Sequence, residues 1–131
     1  MRMTLAVAAA SIGAVLTAGA AFAHHSYSAE FDANKAVKLT GVVTKVDWQN
    51  PHTLFYIDVK DTAGTVVNWG WEMASPTQLM RAGWTRTSMK IGDVITVEGT
   101  RARDGTNYAN ARVIILASTG KQLFAGSSQG Q

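Results

Sequence analysis

The side chains best suited to chemistry are three histidines, His24, His25 and His52. Imidazole is the commonest metal ligand among side chains. His24 follows Ala21-Phe22-Ala23, a small-x-small pattern of the kind cut by signal peptidase. Cleavage after Ala23 makes His24 the amino terminus, where its α-amine and ring Nδ1 form a chelating pair. An α-amine has a pKa of about 8, so a divalent metal can displace its proton near neutrality. Nitrogen donors of this kind favour copper(II) among first-row divalent ions. His25 is adjacent, and His52 stands on the expected turn between the first two strands. The three imidazoles converge if the amino-terminal arm folds back over that turn. In the competing reading His24 and His25 are exposed at a frayed terminus and His52 is a surface turn residue.

The aromatic residues are a second candidate. Trp48, Tyr56, Trp69, Trp71 and Trp84 are many for a small domain, and stacked on an open face they would hold a flat ligand. Large aromatics are more often core, and Trp69 shares its alternation with Val67. Trp48, Asn50 and Tyr56 are the expected ligand-lining residues around the Asn50-Pro51-His52 corner. The acids Glu30, Asp32, Asp58, Glu72 and Glu98 are scattered, and a cross-strand ion pair of Glu72 with Arg101 is expected as a structural contact. There is no cysteine, hence no disulfide, thiolate metal site or cysteine nucleophile. No nucleophile elbow, phosphate loop or H-E-x-x-H occurs, and no catalytic residue is assigned.

The elements that position these residues begin after a leader. Residues 1–23 read as a signal peptide, with one early positive charge, an apolar run over Leu5–Ala18 and the A-x-A end. Removing 23 of 131 residues leaves 108 with a formal charge of +2, since only Arg2 is lost among the charged residues. So weak a basic excess gives no argument for nucleic acid. No later apolar run is long enough to span a bilayer. A periplasmic or secreted location is expected.

Residues 24–36 form an amino-terminal arm that Tyr27 and Phe31 pin to the body. Residues 37–124 form the domain, and 125–131 a disordered Gly/Ser/Gln tail. Alternation over Lys35–Trp48 predicts a long first strand, with a switch of buried face near Gly41. Thr53–Val59 and Val66–Glu72 are the second and third strands. Ser75-Pro76 opens a short helix ending at Gly83, with Leu79, Met80 and Trp84 plugging a barrel end. Val94–Arg101 and Asn107–Leu116 flank the Asp104-Gly105 hairpin signal, and Gln122–Phe124 is a short sixth edge. Three strands, a helix and two strands give a mainly β, five- to six-stranded antiparallel OB-fold-like barrel.

The blocks H-H-S-Y-S-A-E-F-D, L-T-G-V-V-T-K-V-D-W-Q-N-P-H, S-P-x-x-L-x-R-x-G-W and G-D-x-I-T-V-E-G-x-R-A-R-D-G resemble a family of short secreted proteins of Gram-negative bacteria with an OB-fold-like domain of unknown function. That resemblance implies a periplasmic domain and brings no activity with it. His24 with one partner histidine also resembles the histidine brace of copper oxygenases and of some periplasmic copper carriers. The expected function is a non-catalytic binding module, with copper as the candidate cofactor. Its candidate partners are a small ligand, a metal ion or a periplasmic protein. The alternatives are a copper-dependent oxidase or oxygenase, and an assembly domain that offers strand edges.

Overall fold

The computed structural model describes residues 27–126. The expected leader, His24, His25 and residues 127–131 lie outside the described residues. Six strands follow in order: β1 Phe31–Asp47, β2 Leu54–Lys60, β3 Val66–Glu72, β4 Val94–Ala102, β5 Tyr108–Leu116 and β6 Gln122–Phe124. One helix, α1 Pro76–Arg81, lies between β3 and β4, and residues 27–30 are helical.

The sheet runs β3-β2-β1-β4-β5-β6, and a parallel pairing of β3 with β5 closes the ring. This is the mainly β, OB-fold-like barrel that the element order predicts. Closure through Gly70–Glu72 pairs the end of β3 with β5 and so shortens the free edges that the strands would otherwise expose. β1 is long enough to serve both halves, pairing with β4 through Phe31–Val42 and with β2 through Val42–Asp47. At the crossing, a Cβ on Gly41 would sit 2.4 Å from the Asp58 carbonyl oxygen. Only glycine allows the two strands to approach so closely there.

The buried face of β1 does switch, but later than expected. Val37, Leu39 and Val43 face inward, and a register shift between Val43 and Lys45 then brings Val46 and Trp48 against the core. Val42, grouped by parity with Val46 and Trp48, instead points outward and is 42% exposed. The bulge rather than the glycine resets the alternation.

The core is Phe55, Ile57, Trp71, Ile95, Val97 and Ile114, joined by Met73 and Met89. Phe55 and Trp71 stack with ring centroids 6.2 Å apart, and Ala109 and Ala111 leave room for them on β5. Ser75 caps α1, its hydroxyl accepting from Gln78 N, with Pro76 as first helical residue. Gly83, at φ +97°, donates to Met80 O while Trp84 N donates to Leu79 O. These two bonds make the glycine-dependent helix stop. Leu79 and Trp84 fill the barrel end, whereas Met80, expected beside them, is turned to solvent.

The expected boundaries fall inside ordered elements. β1 begins at Phe31, within the expected arm, and Ala125, expected in the tail, is buried and bonded to Arg112 O and Ala74 N.

Candidate functional site

The site begins where the first hairpin opens. Thr53 is fully buried; its N–H donates to Ala74 O and its carbonyl accepts from Met73 N. Side chains alternate along a strand. With Thr53 and Met73 inward, their predecessors His52 and Glu72 face outward side by side. His52 Nδ1 lies 3.0 Å from Glu72 Oε1. The parallel register sets Gly70 opposite Tyr108 and Glu72 opposite Asn110. Tyr108 therefore reaches Glu72 from the other side, its hydroxyl donating to Oε2 at 2.9 Å. Asn110 Nδ2 donates to the Glu72 carbonyl at 3.4 Å.

Gly70 makes room for this arrangement. A Cβ there would meet the Tyr108 ring at 2.9 Å and the Tyr56 ring at 3.2 Å. The Glu72 side chain is only 8% exposed, and that of His52 is 27% exposed. A carboxylate so covered is costly unless both oxygens are hydrogen-bonded, and here each has its own partner.

The arm covers the same corner. Arg103 N donates to Glu30 O at 2.8 Å, and Arg103 Nε donates to Ser28 O. Tyr27 packs on Phe31, and Phe31 stacks on Tyr108 with centroids 5.9 Å apart. The mouth is thus framed by the arm, the Trp48–Thr53 loop and the β4–β5 hairpin. The last two correspond to the loops through which OB folds commonly bind ligands.

Its electrostatics are those of crowded acids. Burial raises the Glu30 carboxyl above its ordinary value, the negative charges of Glu72 and Asp104 add to this, and His52 opposes it. Burial also raises the Tyr108 phenol, reinforced by the Glu72 charge and the bond to Glu72, so Tyr108 stays a neutral donor. Asp104 is lowered by hydrogen bonds from the Thr106 hydroxyl and N–H, which build the hairpin turn.

The expected ligand-lining residues divide. Tyr56 sits on the outer face beside Gly70 and Tyr108, with the Lys45 ammonium 5.6 Å from its ring centroid. Asn50 is exposed at the corner, where the Asn50–Pro51 bond is cis. Trp48 turns the other way, edge-on to Trp84 at 6.4 Å and under the Arg86 guanidinium at 5.5 Å. Trp69, Trp71 and Trp84 are core.

The expected Glu72–Arg101 ion pair does not form. Arg101 lies over the Trp69 ring at 5.0 Å and donates to the Gly105 and Thr106 carbonyls, while Glu72 is held by His52 and Tyr108. Glu72 follows the outward parity of β3, and what the sequence hides is the parallel closure that delivers Tyr108 to it. Of the three candidate metal ligands only His52 is described. Among the described residues, no three His, Asp or Glu side chains gather as a metal-holding group. No described helix is long and apolar enough to cross a membrane.

No curated protein matches the chain. The sequence does match one family over most of its length: the chain belongs to DUF6152, a family of unknown function whose model matches residues 13–111.

Proposed function

We propose that the protein is an exported, non-catalytic binding module, periplasmic or secreted, whose mouth takes a small cationic ligand. The observation that carries this reading is the covered Glu72 carboxylate, held between His52 and Tyr108 beneath the arm. Barrel closure does not require a carboxylate there, and burying one costs several kcal/mol before its partners repay it, on the order of magnitude known for buried ions. Such groups cluster at functional sites. The acids at this mouth favour a cation, since Glu72 and Asp104 both make Glu30 harder to ionise. Binding is favoured over acid–base catalysis because both Glu72 oxygens are engaged and the Tyr108 phenol is held neutral.

The test is native mass spectrometry of protein recovered from the periplasm or medium of the exporting cell. We expect a chain starting at His24 and a ligand mass that disappears under denaturation. That mass should be absent from Glu72→Gln and unchanged in Val66→Ser, a substitution at the far, exposed end of β3. A retained leader, or an equal ligand mass in Glu72→Gln, would overturn the reading.

A further inference from the structure

We infer that the barrel interior holds one structural water directly behind the mouth, bridging the hydroxyl of Thr53 and the indole N–H of Trp71. The inference goes beyond the binding-module reading and does not rest on it. Its starting point is a pair of polar atoms sealed in the core. Thr53 and Trp71 are both 0% exposed. Neither Thr53 Oγ1 nor Trp71 Nε1 has a hydrogen-bond partner among the described residues. A buried polar atom left unmet is costly, and native folds pair such atoms with protein or with ordered water. This fold follows that rule at Trp84, whose Nε1 donates to Phe124 O at 2.9 Å.

The two atoms belong to one corner of the interior. Phe55 pairs directly with Trp71 across β2 and β3. Thr53 precedes Phe55 by two residues, so it shares the inward face and stands diagonally across from Trp71. Diagonal neighbours on antiparallel strands lie roughly 7–8 Å apart, within reach of a long side chain. Two hydrogen bonds of about 2.7–3.0 Å through one oxygen bridge a gap of that order.

The donors and acceptors select the occupant. An indole N–H only donates, so the occupant must accept, and a threonine hydroxyl does either. Apolar side chains line the same corner, with Phe55 stacked on Trp71 and Met73 bonded through its main chain to Thr53. A lone oxygen that both accepts and donates is water. Ala74 and Ala125, 2% and 0% exposed, cover this end of the barrel and are joined by the bond from Ala74 N to Ala125 O. Water behind that cover is part of the structure. His52 and Glu72 are the chain neighbours of Thr53 and Trp71 and face the other way. The water therefore ties β2 to β3 immediately behind the ion pair.

The test is solution NMR on the isotope-labelled full chain, reading the indole N–H resonances and their rotating-frame cross-peaks to water. Trp71→Phe identifies the Trp71 resonance by its loss. We expect a direct water cross-peak at Trp71 Nε1–H and none at Trp84 Nε1–H, whose partner is a carbonyl. Thr53→Val, close in shape but lacking the hydroxyl, should shift the Trp71 resonance, weaken or remove its water cross-peak and lower the urea midpoint. Thr53→Ser keeps the hydroxyl and should keep both the resonance and the cross-peak.

A Trp71 indole without a water cross-peak would overturn the inference. So would an unchanged Trp71 resonance in Thr53→Val, or a raised urea midpoint there, since a buried hydroxyl that bonds to nothing is better replaced by a methyl group. Should Thr53→Val fail to fold, the parent cross-peak and its retention in Thr53→Ser decide the matter.

Discussion

Trp48 and His52 flank the same Asn50–Pro51 corner and end in opposite kinds of contact. Trp48 meets the edge of Trp84, whose single polar group, Nε1, donates to Phe124 O at 2.9 Å. One donor meets one carbonyl, and apart from the Arg86 guanidinium over the Trp48 ring the contact is between aromatic faces and edges. His52 meets a carboxylate with two oxygens to satisfy, and it takes Tyr108 from β5 to satisfy the second. An unpaired indole N–H costs on the order of 1–3 kcal/mol, whereas an uncompensated buried charge costs more. The Trp48 side therefore gains stability from area, and the His52 side holds a costly group in place. The comparison teaches that the two sides of one loop divide the work: one fastens the barrel and the other holds a covered charge in place.

The largest effect should come from breaking the fastening side. Trp84 is 4% exposed, and Trp84→Ala should cost about 3–5 kcal/mol, read as a lowered urea midpoint. Ligand affinity per folded molecule should stay the same. The next effect belongs to the other side. Tyr108→Phe keeps the stack on Phe31 but leaves Glu72 Oε2 without its donor, which should cost about 1–3 kcal/mol. Here affinity should fall together with stability. If Trp84→Ala abolished binding while Tyr108→Phe left it untouched, the division of work would be reversed.

The sequence carried more of the barrel than of its mouth. Alternation sets Thr53, Phe55, Ile57 and Val59 on one face of the second strand; the first three are fully buried and Val59 packs against the core. Ser75-Pro76 and Gly83 marked both ends of α1, because capping depends on a few local residues. The face switch of β1 and the placing of Met80 depart from expectation for a local reason as well: a bulge or the rotation of a short helix moves a side chain to the other face without changing composition. The mouth was legible only in part. His52 stood out by type, and Tyr56 by its place on the outer face. Opposite charge on two strands suggests a pair of Glu72 with Arg101, whereas the contact Glu72 makes crosses the parallel pairing of β3 with β5. The register of the closed ring sets Gly70 opposite Tyr108 and so brings the phenol to Glu72. Nothing local in the sequence marks Arg103 as the residue that holds the arm through main-chain contacts.

The smallest effect is also the most direct measure of acid crowding at the mouth. Glu30 uses only its carbonyl to hold the arm, so Glu30→Gln leaves that clamp in place and removes one charge. Burial first, then Glu72 and Asp104, raise the folded-state pKa of Glu30 above its ordinary 4.5. Where pH exceeds the unfolded value, the unfolded chain has already released this proton and the folded chain holds it longer. Stability then falls as pH rises through the window from 4.5 to the raised value, and the cost persists at neutral pH. Glutamine has no such cost. Glu30→Gln and the parent should therefore have equal urea midpoints near about pH 4, below the window in which the difference develops. At pH 7 the variant should be slightly more stable, by a small margin because the carboxyl is only partly covered and the residue is otherwise exposed. The same change should leave the Trp48 side unaffected. A variant less stable than the parent at pH 7 would show that the attraction of His52 outweighs the repulsion of Glu72 and Asp104, and the mouth would then be balanced rather than acidic.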